Sequence, residues 1–184
     1  GDVGCGKTIV AIIACYQALK NNHQCLVLVP TEVLCSQHFK TFTEYLCNYG
    51  MVEMISGKNT KAEKESIKNK LYDGQISVLI GTHALLFNDY KFRSLAIVII
   101  DEQHKFGIKQ REKISSDYEN QPHLIYMSAT PIPRTLALVL YENMNYITIP
   151  DKPSNRDITK TIVYDEKSRK KIYDSVAKHL QDNM

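Results

Sequence analysis

The chain opens on Gly1-Asp-Val-Gly-Cys-Gly-Lys-Thr8, and this octet restricts the possible folds more than any other stretch. It matches the pattern G-x4-G-K-[ST], in which glycines let successive backbone N–H groups turn inward on a phosphate chain. Gly1, Gly4 and Gly6 are the backbone members of that cradle. Lys7 is the residue to reach the β- and γ-phosphates of a nucleoside triphosphate, and the Thr8 hydroxyl the one to ligate magnesium. Such a loop hangs between a buried strand and a helix whose positive N-terminal end adds to the anion site. The strand is absent ahead of Gly1, so the chain reads as a piece of a longer protein. A glycine turn before an ordinary helix would use the same letters, so the loop needs a second feature beside it.

That feature is the apolar run AIVII at 96–100, followed by Asp101-Glu-Gln-His104. A buried strand of this kind delivers its terminal acids to the carboxyl edge of a sheet, where ligands of open α/β folds bind. Asp101 is then the magnesium carboxylate and Glu102 the general base that polarises the attacking water. Acids also end strands merely because loops are wet. The phosphate loop upstream is what turns this pair into half of a hydrolytic site. A third polar turn, MSATPIPRT at 127–135, follows another apolar run, and its two prolines fix the exit path.

Between these motifs, short continuous apolar runs alternate with helical periods. Helices are expected over 8–20 (apolar at Ile9, Ile12, Ile13, Tyr16 and Leu19), 32–49, 61–72 and 131–141. Strands are expected over 25–30, 52–56, 77–81, 95–100, 124–127 and 146–149. Continuous rather than alternating apolar strands fit a parallel sheet covered on both faces. The expected fold is a doubly wound α/β domain of the phosphate-loop NTPase type, lacking its first strand, over residues 1–150. Residues 151–157 (DKPSNRD) read as a linker. A strand at 158–164 and an amphipathic helix at 166–181 cannot bury a core alone, so 151–184 is expected to be the truncated opening of a second domain.

With 184 residues, 43% of them hydrophobic, the chain suits one domain plus a short extension, and its formal charge of +3 does not by itself diagnose a nucleic-acid binder. No apolar run reaches the ~20 residues of a membrane span. The five cysteines, Cys5, Cys15, Cys25, Cys35 and Cys47, form no C-x-x-C pair and are expected to be reduced thiols. His23, His38, His83, His123 and His179 are scattered, and no structural metal is expected from them. The lysine-rich stretch 58–70 and the basic stretch 167–171 read first as solvated helix faces.

Phosphate loop, Asp-Glu-x-His and Ser-Ala-Thr in this order resemble the superfamily 2 helicases. The longer strings DEQHKFGIKQR (101–111) and SATPIPRTLAL (128–138) are similar to the RecG family of bacterial branched-DNA helicases, as is the junction ending IPDKPSNR. Lys105 stands where that family more often has Arg, and Asn155 where Gly is usual; neither touches the expected chemistry. The resemblance implies a RecA-like motor domain, ATP and magnesium as cofactors, and a bacterial, cytoplasmic enzyme. Its partners are branched duplex DNA, held by its backbone, together with a second motor domain and a fork-splitting wedge of the same protein. Gln103, His104, Ser128 and Thr130 are implied to couple the γ-phosphate to the partner domain, with His104 also touching nucleotide. Thr31, in the string PTEV, and Thr82 and His83, in GTHA, are implied to face nucleic-acid phosphates; each threonine could equally cap a helix. The arginine finger implied for the second motor domain is missing from this chain, so the fragment alone is expected to hydrolyse ATP negligibly. Three other readings stay open: another motor of the superfamily, such as the transcription-repair coupling factor; a non-catalytic nucleotide- or DNA-binding remnant; and a simple phosphate-loop kinase.

Overall fold

The computed structural model describes residues 1–82, 85, 90–102, 121–129, 145–150, 163, 165 and 168–181. Helix α1 (Lys7–Lys20) leads into β1 (Gln24–Val29), α2 (Glu32–Leu46), β2 (Met51–Ile55), α3 (Lys61–Tyr72), β3 (Ile76–Thr82), β4 (Leu95–Asp101) and β5 (His123–Met127). A last helix, α4, spans Arg169–Gln181. The chain divides into two compact units, Gly1–Pro153 and Ser154–Met184.

The five strands among the described residues run parallel in the order β2-β3-β1-β4-β5. β1 is buried at every residue because both its faces are covered. Cys25, Val27 and Val29 point into the layer made with α1 and α2; Leu26 and Leu28 point the other way, toward Ile67 and Leu71 of α3. The same alternation separates Ile99 from Val98 and Ile100 in β4. A period of two residues inside an unbroken apolar run is what a strand sandwiched between helices requires.

α1 differs from the expected stripe. Ala11, Ile12, Cys15, Ala18 and Leu19 face the core, while Ile9 and Ile13 are 41% and 59% exposed. Small Ala and Cys side chains let the helix lie close to the sheet, and that contact sets its rotation at the expense of Ile9 and Ile13. α2 ends at Leu46 rather than near Tyr49, because the Tyr49 and Gly50 N–H groups fold back onto the Leu46 carbonyl and turn the chain into β2. α3 starts on a capping box: the Glu63 N–H donates to Thr60 Oγ1 at 3.3 Å, and the Thr60 N–H donates to Glu63 Oε2 at 2.7 Å. The Thr60 backbone N–H holds the Glu63 carboxyl below its usual range.

Residues 146–149, expected as a strand, carry no regular structure, and Ile147 is 83% exposed. The expected helix at 131–141 lies outside the described residues, as does the strand at 158–164 apart from Val163. α4 begins at Arg169, whose guanidinium lies over the Tyr173 ring one turn later.

At the amino edge of the sheet, the side chain of buried Gln24 adds to the backbone pairing. Its Nε2 donates to the carbonyls of Leu71 (2.9 Å) and Ile76 (2.7 Å), and its Oε1 accepts from the Ser94 N–H (3.0 Å). One amide thus ties the end of α3 to the starts of β3 and β4. Gln24→Leu takes a partner from three backbone groups, of which the Leu71 carbonyl keeps the Gly74 N–H, and is expected to lower unfolding stability by about 2–4 kcal/mol in a urea titration; a loss below about 0.5 kcal/mol would show that water replaces the amide.

Five free thiols are described: Cys5, Cys15, Cys25 and Cys35 are buried and Cys47 is exposed. Burial pushes the Cys35 thiol up to about 11, with the nearby Glu32 charge adding to the effect. Cys15 is raised well above a free thiol, chiefly by its hydrogen bond with Cys25 and then by burial. In the native state a thiol reagent at pH 8 is expected to modify Cys47 first, and Cys15, Cys25 and Cys35 only on unfolding; early loss of the Cys35 thiol, read by mass spectrometry, would contradict this.

Candidate functional site

The parallel register sets which residues share the carboxyl edge. Val29 pairs with Thr82, Leu28 with Ile100, and Asp101 with Met127. The chain therefore leaves the sheet at one level at Thr31, Thr82, Asp101 and Ser128. The phosphate loop joins the same edge, since the amino group of Gly1 donates to the Ser128 carbonyl at 3.4 Å. Gly1 also packs closely on Ile149 and Cys5: a Cβ there would lie 2.9 Å from the Ile149 carbonyl oxygen and 2.5 Å from Cys5 Sγ. Residues 146–149 thus brace the loop instead of extending the sheet.

Within the loop, Gly4 (φ 78°) and Gly6 (φ 95°) hold left-handed conformations that favour glycine. Gly6 is the N-cap of α1 and offers no capping side chain, and the first turn of α1 holds no acid. The N-terminal end of α1 therefore keeps its positive character, with Lys7 and Thr8 as its first residues. Lys7 Nζ curls back over the loop, donating to the carbonyls of Gly1 (2.7 Å) and Asp2 (2.8 Å). This places an ammonium inside a ring of backbone turned by glycines, a setting whose charge and shape suit a phosphate chain. The donor set fits a nucleoside triphosphate, and the hydroxyl of Thr8 with the carboxylate of Asp101 fits a hard divalent cation.

At the end of β4, Asp101 is half-buried, with a side chain 13% exposed. Its Oδ1 accepts from the Glu102 N–H at 3.0 Å and its Oδ2 from His38 Nε2 at 3.0 Å. Glu102 has φ 54°, a left-handed conformation for a residue with a side chain. That turn bends the chain off the sheet immediately after the carboxylate. Unfavourable backbone of this kind persists where the surroundings over-determine it, often at functional sites.

Thr31 is the N-cap of α2, its Oγ1 accepting from the Leu34 N–H at 3.3 Å. Its hydroxyl is thus engaged in capping, and what it turns toward the edge is the start of the helix. Thr82 is half-buried at the end of β3. His83, Gln103, His104 and Thr130 lie outside the described residues. The described members brought to one edge are therefore the phosphate loop, Thr31, Thr82, Asp101, Glu102 and Ser128. His38 joins them from α2; the sequence shows it only as a histidine within the apolar stripe Cys35, His38, Phe42 and Leu46.

Residues 1–139 match the family model of the DEAD/DEAH box helicases. The chain is 43% identical over 183 residues to the ATP-dependent DNA helicase RecG of Aquifex aeolicus, covering 98% of this chain and 23% of that protein. It is 38% identical over 179 residues to RecG of Mycobacterium leprae, covering 89% of this chain and 24% of that protein. Among solved structures, RecG bound to a three-way DNA junction superposes with a TM-score of 0.85 at 35% identity, over 99% of this chain and 24% of that one. The chain spans about a quarter of the length of the curated relatives it matches.

The left-handed turn at Glu102 yields a stability test that does not depend on activity. Glu102→Ala and Glu102→Gly both remove the carboxylate, and only glycine removes the Cβ clash. The glycine variant is expected to be more stable than the alanine variant by about 1 kcal/mol in matched thermal or urea unfolding. Equal or reversed stabilities would mean that the turn is not held in solution.

Proposed function

The chain belongs to the DEAD/DEAH box helicase family, and we propose that it is the first motor domain of an ATP-dependent DNA helicase of the RecG type. That enzyme acts on branched DNA, such as replication forks and Holliday junctions, in recombination and repair. The observation that carries the reading is the meeting of the phosphate loop and the Asp101-Glu102 pair on one sheet edge, joined by the hydrogen bond from Gly1 to Ser128. A phosphate-loop kinase would explain the loop but not the SATPIPRTLAL string that follows β5. The similarity to RecG proteins, one of them solved on a three-way DNA junction, supports a branched duplex as the nucleic-acid partner.

In this reading residues 1–150 are the motor domain, and 151–184 are the linker and first elements of a second motor domain; the division into compact units at Pro153 supports the boundary. Lys7 and the N–H groups of the loop bind the triphosphate. Thr8 and Asp101 hold magnesium, which when bound neutralises charge on the phosphates. Glu102 takes the proton from the attacking water. Gln103, His104, Ser128 and Thr130 carry the state of the γ-phosphate to the second motor domain. Thr31, Thr82 and His83 lie along the DNA backbone, where N–H groups at the start of α2 offer donors to a phosphate even with the Thr31 hydroxyl engaged. The enzyme works in the bacterial cytoplasm. Among the described residues no helix is long and apolar enough to cross a membrane.

The test is steady-state ATPase of the full-length protein with no DNA, single strands, linear duplex, forked DNA or RNA. Forks are expected to stimulate more than linear duplex, and Glu102→Gln to lower kcat by roughly 10²–10⁴-fold. Equal stimulation by linear duplex would favour a general translocase of the transcription-repair coupling type. Preference for RNA would overturn the DNA assignment, and an unaffected Glu102→Gln variant the catalytic one.

A further inference from the structure

We propose that His38 is a positioning residue for Asp101, fixing the magnesium carboxylate in the orientation that accepts the cation. The inference rests on the reading of Asp101 as the cation carboxylate, and it adds a residue that neither the motifs nor the spacing of the nucleotide site contains.

His38 sits on the buried stripe of α2 between Cys35 and Phe42, with its side chain 7% exposed and its ring against that of Phe42. A polar ring placed there is costly unless it is hydrogen-bonded. The partner it finds is not on its own helix: Nε2 lies 3.0 Å from Oδ2 of Asp101, 63 residues away. An ionised carboxylate has no hydrogen to give, so Nε2–H is the donor. Nδ1 is buried without a hydrogen-bond partner among the described residues. The tautomer with the proton on Nε2 leaves Nδ1 a bare acceptor, and avoids stranding a buried N–H donor.

The consequence falls on the carboxylate. Its two oxygens are each held by one donor, and the donors come from different elements: the Glu102 N–H at the end of β4 and His38 on α2. Two donors on two oxygens fix both the position and the rotation of the carboxylate plane. A single donor would leave the plane free to turn. Each oxygen keeps further lone-pair capacity for a cation or a water on it. Outer-shell partners of this sort orient metal ligands, and their loss typically costs about 10–100-fold in metal affinity or activity.

The experiment uses the full-length protein and two variants of similar side-chain size. His38→Met keeps volume and removes the donor; His38→Gln keeps an N–H donor of comparable reach. Binding of a fluorescent ATP analogue is titrated with magnesium, and repeated in excess chelator. The methionine variant is expected to need roughly 10–100-fold more magnesium at half-saturation, with chelator-state affinity within about twofold of native, and the glutamine variant to stay within about threefold. A methionine variant with the native magnesium requirement overturns the proposal. So does a parallel loss of chelator-state affinity and melting temperature in both variants, which marks a purely structural histidine. If the native protein shows no magnesium dependence and Asp101→Ala matches it, the reading of Asp101 itself fails, and the role of His38 with it.

Discussion

The pairing of β1 with its two neighbours is the constraint from which the rest of the molecule follows. β1 is hydrogen-bonded to β3 on one side and β4 on the other, and every residue of it is buried. Its register fixes the level at which each neighbour leaves the sheet. In a parallel sheet every strand ends at the same edge, so residues that follow strands meet there even when far apart in sequence. Thr82 is opposite Val29, Ile100 is opposite Leu28, and Asp101 is opposite Met127. A one-residue slip would invert the two faces of a strand and move its terminal polar residue off that level. The buried faces therefore hold the site in register, although few core residues touch it.

The edge itself stores unfavourable backbone. Gly4 and Gly6 adopt left-handed turns without penalty, whereas Glu102 adopts one with a side chain attached. The Lys7 ammonium, bonded to two loop carbonyls, holds the loop compact from within. Ile149, packed on Gly1, braces it from outside. The arrangement gathers donors and positive charge at the loop and negative charge at the end of β4. Those are the complementary halves needed to grip a phosphate chain through a cation.

The sequence shows the elements whose signals are local and strong. β1, β3 and β4 are continuous apolar runs, and α3 forms over 61–72, where its helical period places it. What it conceals depends on tertiary partners. The alternation at 146–149 looks like a strand, yet it forms none, and Ile149 packs on Gly1 instead. Ile9 and Ile13 of α1 look like part of its core face, yet Ala11, Cys15 and Ala18 join Ile12 and Leu19 there because a close approach to the sheet rewards small side chains. Gln24 lies just ahead of the strand expected over 25–30, yet it is 4% exposed and holds three backbone groups. His38 reads as one of several scattered histidines, because no spacing rule links position 38 to position 101.

That last contact alters how the site is supported. Without it, the Asp101 backbone would still pair with β5, but among the described residues the carboxylate would keep only the Glu102 N–H. With it, the carboxylate is tied to a 15-residue helix anchored along its length by Cys35, Phe42 and Leu46. A helix packed on a sheet moves as a body, since interiors are dense and shift between discrete arrangements rather than bending. Thr31 caps the end of that helix nearest the edge, and His38 lies about two turns further in. The hydrogen bond therefore makes the start of α2 and the end of β4 one mechanical unit. A displacement at Thr31 along the helix axis must either carry the carboxylate with it or break the bond from a histidine that has no other hydrogen-bond partner among the described residues.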